Sequence, residues 1–268
     1  MAELVSGRRS SNGCYVSVIR YPAGLHLEPH AHASTAISMV LSGRLREDSG
    51  PQRALAGVLD LVVKPRGTRH ENLFLDAGTT LVQVVPSSET LRRAADAGCP
   101  LQRWRWIDGA PAARALVRLA AAVIGSAAEI RLEGAVEDAL AALDETDHRR
   151  PAGRPPAWLR RVREALDEAF TQGSEVPAIS DLAAGEGVHR VHLSREFRRW
   201  YGVPPTEYRV RARLRCAADR IGAGDAALAA TAFAAGYADQ AHMTREFSSR
   251  IGLTPLAYRR LFPGAASV

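Results

Sequence analysis

The first chemistry in this sequence lies in two short stretches. GLHLEPHAHASTAISMVLSG runs from Gly24 to Gly43, and PRGTRHENLF runs from Pro65 to Phe74. Successive side chains of an extended strand alternate between its two faces. His26, Glu28, His30 and His32 therefore fall on one face, with Pro29 as the point where the alternation is open to disturbance. If the surrounding strands close as a barrel, His70 of the second stretch approaches His30 and His32. Three imidazoles suit Zn, Fe, Ni or Cu(II). The same three also suit a metal-free pocket or a solvated mouth, and both readings stand at this point.

A second kind of chemistry is written twice. GVHRVHLSREFRRWYGVPPTEYRV spans Gly187–Val210, and YADQAHMTREFSSRIGLTPLAYRR spans Tyr237–Arg260. At an offset of 50 the copies share His192/His242, Arg195/Arg245, Glu196/Glu246 and Phe197/Phe247. They also share Gly202/Gly252, Pro205/Pro255, Tyr208/Tyr258 and Arg209/Arg259. A fixed internal period implies one supersecondary unit built twice. Each copy reads as a short helix, a turn with glycine and a second helix, which is helix-turn-helix grammar. In the first copy Leu193, Phe197 and Trp200 or Tyr201 form the inner face, and Arg190, Ser194, Arg195 and Arg198 face water. In the second, Met243, Phe247 and Ile251 face inward, and Gln240, Thr244 and Arg245 face outward. Arg forks onto guanine and Gln pairs with adenine in the major groove. Two such helices in one chain suit successive turns of the groove, ~34 Å apart.

The second copy, AAGYADQAHMTREFSSRIGLTPLAYRR, resembles the signature of the AraC/XylS family of bacterial transcription regulators. HLSREF and GVPPTEYR in the first copy resemble that family's first helix-turn-helix. The resemblance covers about Trp158–Phe262. It implies seven helices, with a long helix from Thr206 to Ile221 joining the units and recognition helices at Arg190–Trp200 and Gln240–Arg250. It places DNA contacts on Arg190, Val191, Ser194, Arg195 and Arg198, and on Gln240, Ala241, Thr244 and Arg245. Three positions depart from the family pattern. His189 stands where a Ser N-cap is usual, Thr231 replaces a branched apolar residue, and Ala241 offers little to read with. His192 and His242 are expected to pack within the motif.

The histidine stretches resemble the two cupin motifs, and many AraC-like regulators carry such a barrel to bind a small effector. Metal cupins usually place a Glu where this chain has Ala36, so Glu28 or Glu71 is the available substitute. The rival reading is a metal-dependent cupin enzyme fused to a DNA-binding module. A third, a binding protein with no DNA role, leaves both repeats without a task.

These sites need elements to hold them. From Tyr15 to about Ile107, runs such as CYVSVIRY, LDLVVK and TTLVQVV are rich in Val, Ile and Thr and punctuated by Gly and Pro, which suggests a barrel or sandwich. From Pro111 to about Asp144 the period becomes helical, with Leu116, Leu119 and Val123, then Ile130, Val136, Leu140 and Leu143. These helices are available to cover the barrel or to pair with a second subunit. ETDHRRPAGRPPAW, Glu145–Trp158, is a Pro-rich linker, and Leu159, Val162, Leu166 and Phe170 begin an apolar helical stripe after it. Ser180 or Asp181 marks the start of the next short helix, Asp239 is the expected N-cap of the second recognition helix, and Gly202 ends the first.

Composition sets outer bounds. The 268 residues carry a net charge of +6, and 46% are hydrophobic, enough for packed cores. Residues 156–268 hold 16 basic and 12 acidic side chains, compatible with a polyanionic partner. Lys64 is the one lysine. Cys14, Cys99 and Cys216 are too scattered for a disulfide framework or a metal-spaced pair, and a reducing cytosol fits. The chain reads as an α+β multidomain protein: a cupin-like effector-sensing barrel at 1–107, a helical dimerisation or coupling segment at 108–146, a linker at 147–157 and a DNA-binding domain with two helix-turn-helix motifs at 158–263. The expected function is regulated, sequence-specific binding of double-stranded promoter DNA, as activator or repressor. Expected partners are a small-molecule effector, a homodimer mate and RNA polymerase, in the cytoplasm and without catalysis. His30, His32 and His70 are the candidate metal or effector ligands, with a divalent metal as the candidate cofactor.

Overall fold

A computed structural model describes residues 4–11, 14–50, 52–98, 101–108, 110–125, 135–141, 153–172, 176–224 and 227–262. Cys99, Ile130, Leu143 and most of the linker lie outside the described residues, as does the side chain of Phe170. By contact the chain forms two compact units. One comprises Met1–Thr146, Ala218–Ala226 and Thr244–Val268, and the other comprises Asp147–Ala217 and Ala227–Met243.

The first unit is built on antiparallel strands rich in β-branched residues. They are β1 (Leu4–Ser11), β2 (Cys14–Tyr21), β3 (His26–Ala31), β4 (Ala36–Ser49), β5 (Gln52–Ala56), β6 (Asp60–Lys64), β7 (Arg69–Val85) and β8 (Arg105–Asp108). The sheet order is β1-β2-β7-β4-β6-β8, with β3 added on β7 and β5 on β4. The strand-rich region thus begins at Leu4, earlier than the polar stretch SGRRSS suggests. β4 and β7 pair along their length, and each is long enough to serve two further strands. Ala36–Met39 pairs with β6 and Leu45–Ser49 with β5, while Arg69–Leu73 pairs with β3 and Thr79–Val85 with β2. Val16, Val18, Met39, Val40, Leu61, Val62 and Val82 are all fully buried, so both faces of the sheet are covered. Helix α2 (Ala110–Ile124) lies against β1 and β2 and buries Leu116, Leu119 and Val123. A further helical stretch at 135–141, α3, buries Val136 and Leu140, and α1 (Ser88–Asp96) follows β7 with Ser87 as its N-cap.

Where β4 bends, its register with β7 shifts between Val40 and Ser42 and again between Gly43 and Leu45. Buried backbone groups freed from a ladder need other partners. Here the Tyr258 hydroxyl donates to the Leu41 carbonyl at 2.6 Å, and the Gly43 N–H donates to the Asp219 carboxylate at 3.0 Å. Tyr258 is fully buried, packed between Phe247 and Phe262, and burial holds its hydroxyl well above the usual phenol range. Gly43 has φ +77°, and a Cβ there would sit 1.9 Å from the Gly78 carbonyl oxygen, so only glycine fits.

The remaining helices are α4 (Ala157–Gln172), α5 (Ile179–Gly185), α6 (Arg190–Tyr201), α7 (Pro205–Ala223), α8 (Leu228–Ala234), α9 (Gln240–Ile251) and α10 (Pro255–Arg259). Among the described residues that is the seven-helix count the family resemblance implies. In the second unit Leu159, Val162 and Leu166 of α4 bury against Ala183 of α5 and Leu193 and Phe197 of α6. Tyr208 on α7 donates to Asp167 on α4 at 2.7 Å. Gly202, with φ 82°, caps α6 as expected. Ser180 and Asp181 lie in the first turn of α5 as expected; the helix starts after Ala178 with no side-chain cap, and Ser180 donates to Asp181.

Substitution at two glycines separates left-handed backbone strain from collision. Gly24 also has positive φ, but a Cβ there meets nothing within 4 Å. Gly24→Ala should cost about 1 kcal/mol and Gly43→Ala at least ~2 kcal/mol more, read as urea midpoints at constant m-value.

Candidate effector pocket and nucleic-acid interface

β3 does not keep one phase. Its pairing with β7 slips between Leu27 and His30, so that Leu27 faces Asn72 and His30 faces His70. A bulge adds a residue and reverses which side chains point inward. His26 and Glu28 therefore lie on the exposed side, while His30 and His32 turn toward His70. The expectation of four residues on one face is corrected at this point: Pro29 sits in the slip and cannot donate to a ladder. The two carboxylate substitutes lie elsewhere. Glu28 and Glu71 flank His26, at 3.6 and 3.5 Å, outside the imidazole cluster.

His30, His32 and His70 do meet, with ring centroids 4.5–5.3 Å apart and candidate ligand nitrogens all within 4.8 Å of one another. His30 Nδ1 lies 2.8 Å from the Glu28 carbonyl oxygen, and His70 Nδ1 lies 3.1 Å from that of Thr68. A neutral imidazole donating from Nδ1 keeps its Nε2 lone pair as an acceptor, which in His30 is available to a ligand and in His70 lies 3.4 Å from the Lys64 ammonium. Burial, then the nearby Lys64 ammonium, lowers the pKa of His32 to about 4 and holds that of His70 below the ordinary imidazole value. Neutral imidazoles are the form that binds metal. The donor set thus fits a borderline dication.

Beside the cluster lies a buried charge pair that the sequence reading did not single out. The Lys64 ammonium is 2.6 Å from Glu47 Oε2 and 3.4 Å from His70 Nε2. Glu47 has no exposed surface, and it also accepts from Asn72 at 2.7 Å and from the Trp104 indole at 2.9 Å. Two signals were available: the only lysine in an arginine-rich chain, and a Glu two residues after Leu45 on the inward phase of β4. His30, His32 and Lys64 open on a cavity of about 280 Å³, whose apolar wall includes Tyr21 stacked on Phe74 at 4.1 Å.

On the helical side, Arg190, Val191, Arg195 and Arg198 of α6 are exposed and Ser194 is half-buried. Gln240, Ala241 and Arg245 of α9 are exposed and Thr244 is half-buried. Positions four apart share a helix face, so each set forms one stripe opposite its buried residues Leu193 and Phe197, or Met243, Phe247 and Ile251. Arg161, Arg163, Arg199 and Arg211 are committed to ion pairs. No such pair engages Arg190, Arg195, Arg198 or Arg245 among the described residues. His189 does cap α6: its Nδ1 accepts from the Val191 N–H at 3.3 Å, a role usually taken by Ser. Asp239 accepts from the His242 N–H at 2.6 Å at the start of α9. His242, half-buried, meets Tyr237 edge-on within its motif, whereas His192 is exposed and stacks on Trp158 of α4.

Two tests follow from the pocket. Because the folded pKa of His32 lies below its unfolded value, the folded state binds fewer protons between pH 6.5 and about 4. Stability is full above that window and falls through it on acidification, and His32→Gln should flatten the decline in melting temperature of the metal-free chain. Lys64→Met leaves Glu47 unpaired and should cost ~3–5 kcal/mol, whereas Lys64→Met combined with Glu47→Leu should cost less than the two single losses added, in denaturant unfolding.

Two family models match the chain: a helix-turn-helix domain over residues 182–261 and a ChrR cupin-like domain over residues 5–86. A putative AraC-like transcription regulator of Streptomyces lividans is 33% identical over 82 residues, which is 31% of this chain and 27% of that protein. Among solved structures, ToxT from Vibrio cholerae aligns over 94% of this chain and 100% of its own, at 11% identity and a TM-score of 0.38. The C-terminal domain of AraT from Geobacillus stearothermophilus aligns over 40% of this chain and 88% of its own, at 24% identity and 0.37. A cupin superfamily protein of Desulfitobacterium hafniense aligns over 32% and 79%, at 13% identity and 0.30. The domain matches give the chain a ChrR-like cupin domain over residues 5–86, in front of a helix-turn-helix domain over residues 182–261 that is similar to that of AraC-like regulators.

Proposed function

We propose that the chain binds promoter DNA sequence-specifically through residues 158–263 and adjusts that binding to an effector held by the cupin-like domain. The observation that carries the DNA half is the pair of helix stripes. Exposed arginines without ion pairs stand on one face of α6 and of α9, each helix fixed by a buried apolar row and a capped N-terminus. Arginines not committed to internal carboxylates are available to guanine edges and phosphates. Arg195 and Arg245, equivalent in the repeat, are the specificity residues, with Arg190, Val191, Ser194, Arg198, Gln240, Ala241 and Thr244 around them.

His30, His32 and His70 hold the effector, either a divalent metal or a small molecule. A bound dication would gather the three rings and leave open positions for a ligand, while the chain's own Lys64–Glu47 pair sets the charge beside it. The effector acts through its difference in affinity for two arrangements of the protein, which appears as an equal shift in DNA affinity. Residues 108–146 serve dimerisation or coupling, and the DNA-bound protein contacts RNA polymerase.

Arg245→Ala should cost ~1–3 kcal/mol on the cognate site and relax preference at one base position in a binding-site selection. An equal loss on cognate and random duplex would reassign Arg245 to a phosphate. His30→Ala with His70→Ala in the full chain should abolish the effector's influence on DNA affinity and leave effector-free binding unchanged in a fluorescence-anisotropy titration.

A further inference from the structure

We infer that the ligand of the cupin-like cavity is a small organic anion, and that Lys64 selects it by charge. The inference rests on the reading of that domain as the sensor and gives the sensor a ligand class. Lys64 is the single charged side chain among the eleven residues that line the cavity. Its counter-charge, Glu47, is fully buried, is not part of the cavity wall, and is also hydrogen-bonded by Asn72 and Trp104. Asn72, itself in the cavity wall, and the Trp104 indole share the carboxylate's charge with Lys64, so the one formal charge presented to a ligand is the ammonium. An ammonium carries three N–H groups. Glu47 and His70 take two of them, leaving one for a ligand oxygen.

The rest of the wall sorts the ligand by shape. The cavity, about 280 Å³, falls just below the ~300–1,000 Å³ range of ligand pockets, which restricts it to a small molecule. Ile19, Leu27, Leu81 and the Tyr21–Phe74 stack line its apolar side, while His30, His32 and Lys64 line the polar one. A carboxylate attached to a compact apolar body satisfies both walls. A neutral polar ligand gains no charge-assisted hydrogen bond from Lys64, and a bare inorganic ion leaves the apolar wall against water.

The test uses the metal-free full-length protein and three matched pairs of probes: acetate and acetamide, benzoate and benzamide, phenylacetate and phenylacetamide. Dissociation constants are measured by calorimetry on the native chain and on Lys64→Met, with folding of the variant checked by circular dichroism. At least one aromatic carboxylate should bind tenfold or more tightly than its amide, since a charge-assisted hydrogen bond is worth about that much. The ratio should fall to near one in Lys64→Met. The inference is overturned if no carboxylate outbinds its amide on the native chain, or if Lys64→Met keeps the preference. Should the variant not fold, the native carboxylate-to-amide ratio decides alone. DNA is absent throughout, so loss of the regulator reading, seen as effector-independent DNA affinity, registers separately from loss of this one.

Discussion

A carboxylate with no exposed surface organises the front of this molecule. Glu47 on β4 gathers Lys64 from the end of β6, Asn72 from β7 and the indole of Trp104 just ahead of β8. An ionised group is buried only where donors replace its water, and these three come from separate strands or strand ends. The sheet must close around Glu47 for the carboxylate to be tolerated at all. The same closure brings His70 beside Lys64 and, through the β3–β7 pairing, His30 and His32 beside His70. Pocket electrostatics and strand arrangement are thus one constraint seen from two sides.

The helical half uses a different economy of parts. Apolar rows fix helices α6 and α9, at Leu193 and Phe197 in one copy and Met243, Phe247 and Ile251 in the other. Caps then set where each helix begins: an imidazole in the first copy and a carboxylate in the second. Because the buried row and the cap fix both rotation and start, the outward stripe is determined without any contact of its own.

Much of this was legible in residue types and spacing. The repeat, its helices, the inward rows and the Gly202 cap follow from period and from glycine's access to left-handed backbone. The meeting of His30, His32 and His70 was legible as well. Strand phase across Pro29 was not, because period-two alternation carries no mark of a bulge until the partner strand is known, and so His26 and Glu28 were placed on the wrong side. The Glu47 network escaped for a related reason. Its four members are spread from position 47 to 104, and pairwise contacts at such separations leave no local signature. Only the solitary lysine and one inward glutamate hinted at it.

Tyr208 and Tyr258 occupy matched places in the two copies yet finish their hydroxyls differently, one on a helix carboxylate and the other on the Leu41 carbonyl where β4 breaks register. At the position matched to Asp167, fifty residues on, the second copy has Ala217, which offers no acceptor. A chain severed ahead of α4 would consequently keep the first copy's tyrosine anchor and lose that of the second, along with the amide partner of Asp219. Excised as a fragment, the duplicated module would be lopsided, its trailing half deprived of a strand that nothing in its own text can replace.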